Sequence, residues 1–163
     1  MLVLVLGLAE LRELRGEFAF ARFDHLRRLA RTSRSVGDLT RAVENASAEA
    51  ELVMLFAESN VDALEQVAVS SLWWSAEERL EPLLRLRLGE KAVRAAALAV
   101  RAAPSDYEPW LWLARTQASL GLWKQAERCL ARAEELAPAG QRLELLAPRK
   151  EPVRASTAEQ VPG

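Results

Sequence analysis

Apolar residues along this chain recur at the three-and-four spacing of amphipathic helices, with no sustained alternation of the kind strands show. Leu2 to Arg15 reads as helix, Gly16 interrupts it, and Glu17 to Arg31 resumes with Phe18, Ala21, Leu26, Leu29 and Ala30. Thr32 to Gly37 is a break rich in small polar residues. Asp38 is the expected N-cap of a helix through Asn45. Ser47 to Glu58 then carries a broad apolar face of Ala50, Leu52, Val53, Leu55 and Phe56. Ser59-Asn60 is a turn, and Val61 to Trp74 is helical again through Leu64, Val67, Val69 and Leu72.

Ser75 and Glu78 have the spacing of a capping box. Pro82 follows, so the next helix either starts near Glu81 or kinks there, because a proline past the first turn removes a hydrogen bond and clashes with the preceding turn. Gly89 is expected to end that helix and Lys91 to Ala103 to form another. Asp106 is placed to cap a helix from Tyr107 to about Leu120, with Pro109 in its first turn, where the missing N–H costs little. Gly121 breaks the pattern, and Leu122 to Leu136 completes a hairpin that Pro138 closes. Gln141 to Leu146 reads as a short cap over the last hairpin. Pro148 to Gly163 reads as a flexible polar tail.

Two antiparallel helices approach closely only where a small residue faces a large one. Ala114 and Ala126 are the small partners in the last hairpin, and Trp110, Leu113 and Leu130 the large ones. Ala133 makes room for whatever packs next, and Gly121 allows a sharp turn. Ala92, Ala99 and Pro104 lie about 34 residues before Ala126, Ala133 and Pro138, the period of a helix–turn–helix array. Leu8, Ala9, Gly16, Phe18 and Ala21 stand in the same relative order as Leu113, Ala114, Gly121, Trp123 and Ala126, which suggests a degenerate first hairpin; Arg28 then falls where Ala133 sits.

Through Trp110, Leu113, Ala114, Gly121, Ala126, Leu130, Ala133 and Pro138, the stretch Tyr107 to Pro138 resembles a tetratricopeptide repeat. Lys91 to Pro104 resembles part of one. Gln117 departs from the pattern, since the family usually has an aromatic there. The resemblance implies an all-α, right-handed α-solenoid of three to four antiparallel helix hairpins, with a degenerate N-terminal half. Residues 1–72 would form the degenerate hairpins, 73–146 the repeats with a short capping helix, and 147–163 the tail. It further implies a concave face built by the first helix of each hairpin, which takes a peptide or protein segment. On this chain that face would present Glu108, Leu111, Trp112, Arg115 and Ser119. Two readings stand for Trp112: an aromatic anchor in the groove, or packing against the preceding helix. The paired lysines and asparagines with which some family members grip a chaperone's C-terminal carboxylate are missing from this helix.

Composition narrows the function classes. The 163 residues carry a net charge of -1, so bulk charge points to neither nucleic acid nor a polyanionic substrate. Charge is uneven along the chain, however. Arg22 to Arg34 is basic and Asp38 to Glu81 acidic, which suits two solvated faces or one face that docks a charged partner. The single cysteine, Cys129, rules out an internal disulfide and fits a reducing compartment. His25 is the only histidine and has no second ligand at metal-binding spacing. No phosphate-binding glycine loop, dinucleotide fingerprint, metalloprotease helix or nucleophile elbow occurs. No cofactor is expected.

Met1 to Leu8 is apolar but far short of the roughly 20 residues that span a bilayer. It reads as a buried helix, or as the tail of a membrane anchor followed by arginines. Trp73-Trp74 reads as core, or, if exposed, as a contact with protein or membrane. The expectation is therefore a non-catalytic cytoplasmic scaffold or adaptor for a protein or peptide partner. A membrane-associated assembly subunit and a self-associating structural domain are the alternatives.

Overall fold

The structure, a computed structural model, describes residues 2–141 and 143–145, with side chains from Glu10 onward. Six helices follow one another: α1 (Leu2–Thr32), α2 (Val36–Phe56), α3 (Val61–Ser75), α4 (Pro82–Ala102), α5 (Tyr107–Ser119) and α6 (Trp123–Leu136). Among the described residues there is no strand. The Pro148–Gly163 tail and the side chains of the apolar start lie outside what is described.

Two glycines behave differently from the expectation. α1 is a single helix of 31 residues that runs straight through Gly16, so the degenerate first hairpin is not formed. Phe18 and Ala21, expected to pack inside it, are exposed. Gly16 is buried against the end of α2, where a Cβ would lie 3.0 Å from the Ala57 Cβ and 3.0 Å from the Phe56 carbonyl oxygen. Likewise α4 continues through Gly89, whose Cβ would meet the Leu120 Cδ2 at 2.7 Å. Both glycines let another segment approach a helix, and neither makes a turn. Gly121 does make one, at a φ of 76° that favours glycine.

Helix starts are set locally. Ser35, not Asp38, is the N-cap of α2: its hydroxyl accepts from the Asp38 N–H at 3.0 Å and donates to the Asp38 Oδ2 at 2.7 Å. That helix runs unbroken past Asn45. Asn60 caps α3 by accepting from the Ala63 N–H at 3.0 Å. Ser75 caps nothing; it is the last residue of α3, and its hydroxyl donates to the Leu72 carbonyl at 2.6 Å. Pro82 is the first residue of α4, so the helix starts there and does not kink. Asp106 occupies the N-cap position of α5, but its carboxylate makes no capping hydrogen bond.

Short turns fold the helices into three antiparallel pairs, α1 on α2, α3 on α4 and α5 on α6; α4 also packs on α5, and α5 reaches α3. One core runs through Phe23, Val53, Leu64, Leu88 and Ala99 to Ala114. Ala114, Ala126 and Ala133 are fully buried, as small residues between closely packed helices must be. Trp74 is buried, its ring at an angle to that of Phe23 with centroids 6.2 Å apart, as the core reading expects, whereas Trp73 is exposed.

The uneven charge is partly neutralised within the chain. Arg12 pairs with Glu58 at 2.8 Å and Arg22 with Glu49 at 2.9 Å, α1 to α2. Lys91, nearly buried on α4, donates to the Ser47 carbonyl and hydroxyl at 2.6 Å and pairs with Glu51 at 2.9 Å, which ties α4 to α2. Burial alone would raise the Glu51 carboxyl, but Lys91 and Arg94 beside it hold it below its ordinary value.

Gly16 and Gly37 both lie in helices, and only the first is crowded; nothing stands within 4 Å of a Cβ at Gly37. Gly16→Val is expected to destabilise the protein by about 1–3 kcal/mol by forcing α1 off the end of α2. Gly37→Ala is expected to stabilise it by about 0.5 kcal/mol. Urea unfolding followed by circular dichroism measures both.

Candidate functional site

The five residues expected on the concave face all project from α5, but they do three different things. Leu111 is buried in a small cluster with Ala133 of α6 and Leu143 of the C-terminal segment. Trp112 is half-buried against the main core, and the Arg115 guanidinium stands over its ring, 4.8 Å from the centroid. A cation over an indole face is attracted by the ring quadrupole, which fixes the direction of the arginine. Arg115 Nε and Nη2 then both donate to the Glu144 carbonyl, at 3.3 and 3.2 Å. Partial burial lowers the Arg115 pKa.

Residues Leu143–Leu145 are not helical, so the capping helix expected there is not formed. They nevertheless lie over the last hairpin. Leu143 is buried beside Leu111, Glu144 gives its carbonyl to Arg115, and Leu145 packs against the main core. The chain thus lays a leucine–glutamate–leucine segment of its own across the face expected to be concave. Leu111, Trp112 and Arg115 are brought together there. Ser119 is not: it is exposed near the other end of α5, and its hydroxyl donates to the Thr116 carbonyl at 2.8 Å.

Glu108 belongs to an acidic group that sequence reasoning did not assemble. Glu65 on α3 is half-buried, with a buried Oε1 that has no hydrogen-bond partner among the described residues. Burial first, then the nearby Glu108, Asp62 and Asp106 carboxylates, push its pKa up from 4.5 to about 7. Tyr107 links this corner to the segment after α6: its hydroxyl donates to Glu108 Oε1 at 3.2 Å and accepts from Gln141 Nε2 at 2.9 Å. The period of each helix gave no hint of Glu65, because its environment depends on how α3 sits beside α5. Leu143 was equally hidden, since a non-helical contact has no period to find.

Chemically the face offers one cation aimed at a backbone carbonyl, one apolar socket and a neighbouring acidic corner. It offers no activated nucleophile: Cys129 is buried, and desolvation raises its thiol pKa despite a hydrogen bond with Gln117. Among the described residues no group of His, Cys, Asp or Glu side chains is arranged to hold a metal ion. Nor is any helix there long and apolar enough to cross a membrane. No protein-family model, curated protein or solved structure matches the chain.

The raised Glu65 pKa sets a sign for stability against pH. The folded state holds the proton more tightly than the unfolded chain, so this contribution is fully present below about 4.5 and is lost as pH rises through about 7. Stability is therefore expected to fall across that window. Glu65→Gln is expected to flatten the fall, measured as urea midpoints at a series of pH values.

Proposed function

We propose that this chain is a non-catalytic scaffold of the tetratricopeptide type, a right-handed superhelix of helix hairpins that takes an unwound segment of a partner protein on its α5 face. One observation carries the reading: Arg115, held over Trp112, donates two hydrogen bonds to a main-chain carbonyl of a segment whose leucine fills the socket beside Leu111. A guanidinium that reads a carbonyl is indifferent to the side chain it belongs to, whereas the socket selects for an aliphatic group. Together they are a minimal recognition device for a short leucine-containing segment. The helix-to-helix packing order supports the same reading, since α5 rests on both helices of the preceding hairpin. The acidic corner at Glu65 and Glu108 would favour a basic residue in the partner next to that leucine. The cytoplasm is the compartment this reading takes, in keeping with the single buried thiol.

The chain's own segment supplies the probe. A labelled peptide of the sequence 140–147 (GQRLELLA) is expected to bind Leu143→Asp protein, in which the resident segment no longer fills its socket. Adding Arg115→Glu is expected to weaken that binding about tenfold or more, the effect of losing hydrogen bonds from a charged donor. Fluorescence anisotropy reads the binding, and far-UV circular dichroism checks that helicity is kept. Equal affinity for both variants would refute a role for Arg115 in capture.

A further inference from the structure

The face of α1 turned away from the core carries an apolar stripe from Leu11 to Ala21 that ends at His25. Gly16, Ala19, Phe23 and Ala30 point inward. On the opposite side Leu11, Leu14, Phe18, Ala21 and His25 follow one another three and four residues apart, all exposed, with Phe18 71% accessible. That spacing is the seam of a coiled coil. Leu52 of α2 extends the apolar surface sideways, and together with Phe18, Arg15 and Arg22 it lines an open groove of about 300 Å³. An apolar stripe of this kind, flanked by charge, marks a contact surface.

The flanking charges say what fits it. Arg15 and Arg22 run along one edge of the stripe and Glu10 and Glu17 along the other. Among the described residues neither Glu10 nor Glu17 takes part in an ion pair, while Arg22 leaves most of its side chain exposed beside Glu49. If two such stripes face each other in parallel, the edges cross over: Glu10 of one copy comes beside Arg15 of the other, and Glu17 beside Arg22. An antiparallel pair would set acid against acid and base against base. Charges at these edge positions choose the partner and its direction. This pattern is complementary to itself in one orientation only.

We propose that α1 is a homodimerisation helix that binds a second copy of this chain in parallel about a two-fold axis, with Phe18 at the centre of the contact. The interface is isologous, so each copy contributes the same leucines and the same crossed ion pairs. Among the described residues the apolar seam covers about two heptads before His25 and Arg28, and a moderate, concentration-dependent association is the expected behaviour. The contact lies on the first hairpin and leaves the α5 face open.

Sedimentation velocity of the full chain over a concentration series tests this. The mass is expected to rise from 18.1 kDa towards twice that value as concentration increases. Phe18→Asp, which replaces an already exposed side chain, is expected to weaken the association more than about 30-fold with unchanged helicity, as for a central aromatic anchor. Glu17→Arg is expected to weaken it as well, because it sets base against base in the parallel pair. An antiparallel pair centred on Phe18 sets residue 17 beside its own copy, like against like before and after the change, so an association indifferent to Glu17→Arg overturns the orientation. A chain that stays monomeric throughout, or a dimer indifferent to Phe18→Asp, overturns the proposal. So does a monomer that pellets with phosphatidylcholine–phosphatidylglycerol vesicles in a Phe18-dependent way, because the stripe would then be a lipid-binding surface.

Discussion

The structure depends on how near two helices, or a helix and the end of another, are allowed to come. Residues with little or no side chain are buried at close contacts: Gly16 under the end of α2, Gly89 under Leu120, and Ala114, Ala126 and Ala133 in the last hairpin. Tight approach gains dispersion contacts over the whole length of a helix pair, each small and many in number. Larger groups then fill the spaces beside the contact, with Phe23 and Leu64 in the centre and Leu111 at the edge. Polar links do a different job. Lys91, bonded to Ser47 and Glu51, fixes α4 relative to α2, where direct packing between the first and second hairpins is thin.

The last hairpin was the most legible part of the chain. Alanine, glycine and proline stand there in an order that one packing arrangement explains, and α5 and α6 begin and end within a residue or two of where the periodicity puts them. Gly16 and Gly89 misled for a physical reason. Glycine serves positive φ and close approach equally well, and a bare sequence does not say which. The neighbours carry a clue: Gly16 lies between arginine and glutamate, and Gly89 between leucine and glutamate, all residues that favour helix, with no polar turn-former beside them. Around Ser35 the ambiguity was one of register, since a serine and an aspartate three apart can each be the cap, and here the two bond to each other.

The candidate face was half legible. Leu111, Trp112 and Arg115 follow from helical spacing once α5 is placed, and they do meet a chain segment. That the segment is the protein's own, and that Glu65 is pressed among other carboxylates, are facts of tertiary arrangement. Neither leaves a periodic mark. The basic and acidic stretches meet across the first hairpin at Arg22 and Glu49, while Arg27 and Arg28 pair with Asp24 of their own helix. Arg12–Glu58, exposed at both ends, adds little stability.

Because Leu143–Leu145 is joined to α6 by only a few residues, it is present at its socket at an effective concentration on the order of millimolar, whatever the amount of protein. An outside segment of equal intrinsic affinity, supplied at micromolar levels, would hold the face only a small fraction of the time. For the proposed capture of a partner segment the tether would act as a threshold: an incoming ligand would succeed by making contacts the resident lacks, or by first drawing Leu143–Leu145 away. Selectivity at such a face is set as much by what must be evicted as by what is gained.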